Sequence, residues 1–268
     1  MTGYVFSNAA EDPTARRFAG LETLYDARTQ RQLEATGIEA GWRCLEIGAG
    51  GGSIATWLAD RVGTGGEVLA TDLDPRFLER LTTTARPQLT VRRHDVVTDA
   101  LPDAAFDLIH ARLVLLHLPT AAAVLPRLVA ALRPGGWLVI EDFDPTFVDR
   151  AFPVTDPAIA ATMRRVFGPL GALIEARGAS PGWARGLHAR FTAAGLTDVA
   201  ADCHLEIRAG GSPGARVDAA NIEQAGPGLV EAGKAEASDV EHVLAHLRDP
   251  QVTYASPMMF SVQGRRAA

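Results

Sequence analysis

A run of glycines is the sharpest chemical feature of this chain. Gly48, Gly50 and Gly52 follow the apolar stretch Arg43–Ile47 and precede Ser53, a residue that suits the start of a helix. Residues without a Cβ let the backbone turn sharply and let a ligand come close. The helix that follows offers unpaired backbone N–H groups. The run therefore predicts a ligand-binding turn between a strand and a helix.

Two carboxylates indicate which ligand this turn would bind. Asp72 follows Gly52 by about twenty residues, at the end of the next predicted strand, where a carboxylate can accept both hydroxyls of a ribose. Glu46 would repel a pyrophosphate but suits a ligand with a cationic end. A dinucleotide-binding pattern would also place its third small residue at Ser53 rather than Gly52. These residues favour S-adenosylmethionine (SAM), which carries an amino group and a sulfonium, over NAD(P).

The surrounding sequence alternates short apolar runs with amphipathic stretches. Such alternation predicts an α/β chain with a doubly wound, mostly parallel, Rossmann-like sheet and right-handed crossovers. Strands are predicted at 43–47, 67–71, 89–93, 106–110, 137–141, 199–208 and 257–263, seven in all, and helices at 11–37, 53–62, 74–85, 120–132, 159–174, 187–194 and from 238.

The stretch after the fifth predicted strand is too long for a simple loop, so we interpret it as an insertion. The predicted organisation is an N-terminal helical lid (1–38), a SAM-binding Rossmann-like half (39–143), an inserted helical cap (144–190), and C-terminal strands and a helix that complete the sheet (191–268).

Five ordered motifs, which cover about residues 40–142, resemble those of class I SAM-dependent methyltransferases, in the group similar to the ubiquinone/menaquinone-biosynthesis enzymes. They are E-x-G-x-G-x-G at 46–52, the ribose-binding strand end at 71–75, a variant of G-D-A…L-P at 94–102, F-D-L-V…L-H-H-L at 106–118, and L-K-P-G-G at 132–136.

The resemblance implies a cofactor role for eleven positions. The methionine part would lie against Glu46, Gly48, Ala49, Gly50 and Gly52, and the ribose would lie on Asp72. The adenine would lie between Leu73 and Val96, with Asp95 at its amino group. The sulfonium would lie above Ala111, beside Arg112.

Two positions depart from the family pattern. His94 stands where the family has glycine, which changes the loop before Asp95. Arg112 stands where many relatives have a small or polar residue, and could pair with the cofactor carboxylate, with an acidic substrate or with a surface carboxylate.

Methyl transfer depends mainly on holding the nucleophile, the methyl group and the sulfur in line. A base is needed only when the nucleophile arrives protonated. His117 is the candidate base, with a structural histidine as the alternative, and Tyr25 is predicted to touch cofactor or substrate. No metal is expected, since His242 and His246 lack the glutamate of the H-E-x-x-H motif.

The acceptor pocket is expected to be apolar and built from the N-terminal helix, the insertion and the chain end. Its candidate residues are Tyr4, Phe6, Tyr25, Phe147, Phe152, Met163, Phe167, Trp183, Met258 and Met259.

Composition narrows the class of partner. The net charge of −6 argues against a nucleic-acid substrate. With no signal-like N-terminus and no apolar run of about 20 residues, we expect a cytoplasmic protein without a membrane partner. Formation of a homodimer is a further possibility that the sequence leaves undecided.

The leading hypothesis is a SAM-dependent methyltransferase that methylates O, N or C of a small, largely apolar metabolite. The alternatives are a SAM-binding enzyme that does not transfer the methyl group, such as a cyclase, and an NAD(P)-dependent oxidoreductase.

Overall fold

The structure is a computed structural model and describes residues 11–78, 81 and 86–268, with side chains described from residue 15 onward. Its strands are β1 (Arg43–Ile47), β2 (Glu67–Asp72), β3 (Leu89–Arg93), β4 (Phe106–Arg112), β5 (Leu132–Asp144), β6 (Leu196–His204), β7 (Ile207–Ala209), β8 (Thr253–Ala255) and β9 (Met258–Arg266). The longer helices are α1 (Glu11–Ala35), α2 (Ser53–Val62), α3 (Ala121–Ala131), α4 (Pro157–Phe167), α5 (Leu170–Glu175), α6 (Leu187–Ala193), α7 (Pro213–Glu231) and α8 (Ala237–His246).

Seven of these strands form one sheet in the order β3-β2-β1-β4-β5-β9-β6. β1 to β5 are parallel to one another, and β9 is antiparallel to both β5 and β6. This arrangement confirms the predicted Rossmann-like sheet of seven strands. β7 and β8 form a separate antiparallel pair.

Both faces of the sheet are covered by helices, as a mostly parallel sheet requires. On one face Leu45 and Ile109 pack in a buried cluster with Leu128 of α3 and Phe191 of α6. On the other face Cys44 packs with residues of α1 and α2. The central strands β1 and β4 are therefore almost wholly buried, and their apolar runs made their positions predictable.

A second apolar core lies outside the sheet. It joins α4 to α7, α8 and the β7–β8 pair, and its largest members include Met163, Phe167, Ile222, Leu229 and Tyr254. The insertion is thus helical where a helix was predicted, although two helices, α4 and α5, replace the single one. Its role as a cap stays a prediction.

Helix α7 was not predicted, because Gly226, Pro227 and Gly228 break a helical pattern in sequence. Packing explains Gly226: a Cβ there would lie 2.8 Å from a methyl carbon of Val240 on α8, so its absence lets the two helices approach closely. The predicted helix 74–85 is a short 3₁₀ turn over Pro75–Phe77 where described, and most of the remainder lies outside the described residues.

Among the described helices, none is both long and apolar enough to cross a bilayer.

Candidate active site

The predicted cofactor residues lie at one edge of the sheet, where the parallel strands β1, β2 and β4 all end. Ile47 pairs with Thr71 on one side and with Ala111 on the other. Asp72, the last residue of β2, pairs with Arg93 at the end of β3. Ligands of open α/β sheets bind in the crevice outside these carboxyl ends. The fold therefore brings together motifs that lie far apart in sequence.

The glycine loop has a backbone that other residues could not easily adopt. Gly48, Gly50 and Gly52 have φ values of 64°, 54° and 84°, all in the left-handed region. A Cβ on Gly48 would collide with the side chain of Val114, and one on Gly52 with that of Leu81. The loop is therefore a close-packed cradle that leads into α2, as the sequence predicted.

Asp72 closes the cradle from the β2 side. Its carboxylate accepts hydrogen bonds from the backbone N–H groups of Gly50 and Asp74, both at 3.0 Å. Burial raises the pKa of Asp72, against the opposing effect of these bonds. The carboxylate therefore fixes the glycine loop while it stays at the strand end where a ribose is expected.

The residues predicted to enclose an adenine lie on neighbouring strand ends. The N–H of His94 donates to the carbonyl of Asp72 at 3.0 Å, which ties the loop after β3 to the end of β2. Leu73 is 49% exposed, whereas Val96 is buried. One oxygen of Asp95 accepts the N–H of Val97 at 2.8 Å and fixes the turn. The histidine in place of the family glycine thus leaves Asp95 beside the crevice.

Helix α1 covers the open side of the glycine loop. A Cβ on Gly50 would lie 3.2 Å from the ring of Phe18, and one on Gly51 would meet the carboxylate of Glu22. The Phe18 ring also packs edge-on against Phe77, whose centroid lies 5.3 Å away in the turn after β2. The sequence analysis missed Phe18 and Glu22 as site residues. Their position on one face of α1 was the available signal, but only the fold shows what that face covers.

Glu46 does not point freely into the crevice. It is 3% exposed, and its carboxylate lies 2.7 Å from Nδ1 of His110 on the neighbouring strand β4. The other ring nitrogen of His110 lies 3.4 Å from the carboxylate of Glu141 on β5. Glu141 in turn accepts hydrogen bonds from Thr29 of α1 at 2.5 Å and Ser261 of β9 at 2.6 Å. Glu46 is thus the first member of a buried polar row beneath α1.

This row is a buried ion cluster. Burial alone would lower the pKa of His110, but the charge of Glu46 and the hydrogen bonds to Glu141 and Glu46 raise it to about 9. Burial would raise the pKa of Glu141, but the hydrogen bond and charge of His110 lower it. His110 is therefore a cation at neutral pH.

Three further predicted site residues have protein partners. Arg112 donates to Asp26 and Thr29 of α1, both at 2.9 Å, so its ion pair fastens α1 to the sheet instead of lying on the surface. Tyr25 is buried, and its hydroxyl accepts a hydrogen bond from Arg208 at 2.6 Å. Ala111 is fully buried at the end of β4. Direct cofactor contacts by these residues stay predictions.

A largely apolar cavity opens beside the cradle. The space between its walls is about 840 Å³, a figure that includes the open solvent at its mouth. The lining comes from α1, the segment after β4, the insertion and α7, and consists of Arg17, Leu21, Leu113, Leu116, His117, Phe143, Pro145, Arg150, Phe167, Leu170, Leu173, Ile174, Asp218, Asn221, Ile222, Ala225 and Pro257.

A pocket wall was expected from the N-terminal helix and the insertion, and both contribute to this lining, whereas most of the side chains expected there do not. Of the predicted aromatic and methionine side chains, Phe167 lines the cavity. Met163 and Trp183 are buried in the two cores, and Phe147 and Phe152 are exposed by 52% and 59%. The sequence pattern missed α7 and so missed the wall it supplies. Tyr4 and Phe6 lie outside the described residues.

His117 lies in the cavity wall, on the short turn Leu115–His117 that follows β4. Burial, and then the charges of Arg17 and Arg177, lower its pKa to about 3. Because an effective general base has a pKa near the working pH, a neutral ring with this pKa is a weak proton acceptor at pH 7. The position of His117 fits the predicted role of a general base. Its low pKa, however, favours a hydrogen-bonding role over proton removal.

Asp142, at the end of β5, positions the segment that carries His117. Its carboxyl accepts the N–H of Val114 at 3.1 Å and also that of Leu116. Burial raises its pKa well above the ordinary value. A carboxyl that accepts two backbone N–H groups caps this segment, so Asp142 has a capping role in the structure.

Replacing Asp142 by alanine should lower the free energy of unfolding by about 1–3 kcal/mol, because two buried N–H groups lose their acceptor. Asp142→Asn keeps an acceptor oxygen and removes a charge that burial disfavours, so it should cost less than the alanine variant. Urea unfolding at pH 7 measures both. Equal losses in the two variants would contradict the capping role.

Comparison with known proteins agrees with this geometry. Residues 45–138 match a family model described as a methyltransferase domain. Methyltransferase str2 of Strobilurus tenacellus is 40% identical over 117 residues, which cover 41% of this chain and 40% of that protein. Trans-aconitate 2-methyltransferase of Methylobacterium radiotolerans is 35% identical over 160 residues, which cover 56% of this chain and 60% of that protein.

A solved structure shares the fold over most of the chain. Phosphoethanolamine N-methyltransferase 2 of Haemonchus contortus, in complex with SAM, superposes with a TM-score of 0.56 at 16% identity and covers 90% of this chain and 53% of its own. The chain spans 35% to 60% of the lengths of the first curated relatives it matches. The family match and the named relatives show that residues 45–138 form a methyltransferase domain, and the sheet order is that of a Rossmann-like methyltransferase fold.

Proposed function

We propose that this protein transfers the methyl group of SAM to a small, largely apolar acceptor. The observation that carries the proposal is the junction between the glycine cradle and the cavity. Val114 packs against Gly48, while its neighbours Leu113 and Leu116 line the cavity. A cofactor in the cradle and an acceptor in the cavity would therefore meet at this segment.

The residues of the crevice fit SAM. The left-handed loop at Gly48, Gly50 and Gly52 would hold the methionine part, and Asp72 offers a carboxylate for the ribose hydroxyls. Leu73 and Val96 would enclose the adenine, with Asp95 at its amino group. When bound, SAM supplies a methyl carbon that forms a bond with the acceptor lone pair as its bond to sulfur breaks, leaving the bonding pair on sulfur.

The chain itself contributes position and shelter from water. α1 covers the loop through Phe18 and Glu22, and the cavity wall is mainly apolar. Holding two reactants in line can supply much of the rate enhancement. A protonated acceptor would lose its proton to water, since His117 is a weak base. Acceptors that are already anions or neutral lone-pair donors suit this site better.

The first test is ligand binding. Calorimetry should show that the chain binds SAM and S-adenosylhomocysteine but not NADH. Asp72→Asn should weaken SAM binding by about 10- to 100-fold, because a hydrogen bond to a charged group contributes about 1.5–3 kcal/mol. Asp60→Asn is the matched control, since Asp60 pairs with Arg86 on the surface and should leave SAM affinity unchanged. NADH binding in place of SAM would support the oxidoreductase alternative.

The second test separates methyl transfer from the cyclase-type alternative. The chain is incubated with tritiated methyl-SAM and a set of small apolar acids, phenols and amines. Label in an extracted product, together with equal formation of S-adenosylhomocysteine, supports the proposal. Conversion of an acceptor while SAM stays intact would instead support the non-methylating alternative.

The cytoplasmic location and the homodimer stay predictions. The net charge of −6 supports a small-molecule acceptor over a nucleic acid.

A further inference from the structure

An arginine lies where the cavity is otherwise apolar. Arg150 belongs to the insertion, is 6% exposed and lines the cavity. Its Nε donates to the carbonyl of Ala255 at 2.9 Å, and its guanidinium lies 4.1 Å from the ring centroid of Phe167. A buried guanidinium is costly unless an anion pairs with it. How fully an anion of the protein pairs with Arg150 therefore indicates the charge of a ligand that the cavity would bind.

That anion is shared. The Asp218 carboxylate lies 3.0 Å from Arg150, but the same oxygen accepts hydrogen bonds from Arg208 at 2.8 Å and from the Tyr254 hydroxyl at 2.9 Å. Two guanidinium groups thus share one buried carboxylate. A second carboxylate, Glu206, bonds to Arg208 at 3.0 Å and is about one-third exposed. Within the cavity wall the described residues contain one carboxylate, Asp218.

The rest of the wall adds positive potential. Arg17 of α1 lines the same cavity, oriented by a hydrogen bond of 3.0 Å to Asn221. Arg17 and Arg177 also add to the effect of burial in lowering the pKa of His117. A cationic acceptor would meet this field and would find Asp218 already bonded. A monoanionic acceptor would be attracted by it.

We propose that the acceptor is a largely apolar carboxylic acid, whose carboxylate is bound by Arg150 while its hydrocarbon part fills the cavity. A planar guanidinium matches a carboxylate with two parallel hydrogen bonds. This assignment rests on the proposed function and names the acceptor class for that site. It also agrees with the weak basicity of His117, because a carboxylate arrives without a proton to remove.

Three probes with one hydrocarbon body test the charge preference. These probes are 4-phenylbutyrate, 4-phenylbutanamide and 4-phenylbutylamine, which differ only in a negative, neutral or positive head group. Calorimetry with and without saturating S-adenosylhomocysteine measures their affinities. The acid should bind at least about tenfold more tightly than the amide, and the amine more weakly than both. Equal affinities, preference for the amine, or no binding of the acid at millimolar concentration would overturn the assignment.

A matched pair of variants assigns the preference to Arg150. Arg150→Met removes the charge and keeps the length of the side chain, while Asp218 keeps Arg208 and Tyr254 as partners. This variant should lose the preference for the acid and keep its affinity for the amide. Arg164→Met is the control, since Arg164 lies on α4, is exposed and pairs with Asp149. A preference that survives in Arg150→Met would overturn the assignment.

The binding of S-adenosylhomocysteine serves as the independent readout. If wild type and both variants bind it equally while the acid preference disappears only in Arg150→Met, the assignment is supported. A chain that binds neither SAM nor S-adenosylhomocysteine would contradict the proposed function. If S-adenosylhomocysteine binds but the acid and amide do not differ, the acceptor class alone is wrong.

Discussion

Gly50→Arg should weaken SAM binding by at least about 100-fold, which corresponds to about 2.7 kcal/mol. Three effects act together at this position. Gly50 has a φ of 54°, which residues with a Cβ adopt only at a cost. A Cβ there would lie 3.2 Å from the Phe18 ring, so the longer side chain must displace α1 or enter the crevice. The Gly50 N–H also donates to Asp72, so a shifted loop would move the carboxylate that we propose binds the ribose.

A glycine with similar backbone strain provides the control for Gly50→Arg. Gly233 has a φ of 63°, and a Cβ there would meet no atom within 4 Å. Gly233→Arg should therefore carry a comparable backbone penalty and keep the affinity for SAM. Calorimetry with SAM and thermal unfolding of both variants separate binding from stability. Wild-type affinity in Gly50→Arg would place the cofactor elsewhere.

His110→Leu should lower the free energy of unfolding at pH 7 by about 3–5 kcal/mol, the usual cost of removing one partner from a buried ion cluster. The substitution leaves Glu46 and Glu141 buried without the cation between them. Both carboxylates are almost inaccessible to water, so solvent cannot compensate for the loss. His188→Leu is the control, because His188 is exposed on α6 and its replacement should change stability by less than about 0.5 kcal/mol.

The same cluster predicts how stability depends on pH. The pKa of His110 rises from an ordinary 6.5 to about 9 in the folded chain, so the folded state binds this proton more tightly. Its stabilisation is therefore fully present below pH 6.5 and is lost as the pH rises through about 9. At 1.36 kcal/mol for each unit of pKa, the loss is about 3 kcal/mol.

Urea unfolding of wild type and His110→Leu between pH 6 and pH 10 measures this loss as a difference between the two proteins. The difference should be largest near pH 6.5 and should shrink as the pH rises to about 9, while titrating groups remote from Glu46 and Glu141 cancel. A difference that stays constant over this range would show that His110 is not protonated in the folded chain.

The strand and glycine pattern could be predicted because its determinants are local. β1 and β3 have the predicted bounds, and so does α2, since their limits follow from apolar runs, turn residues and a helix-starting serine. The seven-stranded order follows from the alternation of strands with helices. Helix α7 was missed because its glycines and proline oppose helix formation locally, whereas its packing against α1 and α8 compensates.

By itself, the sequence determined the class of fold and the shape of the glycine turn where the cofactor is predicted to bind, since both depend on periodicity and on short motifs within a few residues. Tertiary structure alone decided the partners of the charged residues. Glu46 was predicted to face the cofactor but bonds to His110, Arg112 fastens α1, and Arg150 of the insertion shares Asp218 with Arg208 of β7. Such pairs join residues far apart in the chain, and a buried charge is stable only beside a partner that folding brings to it.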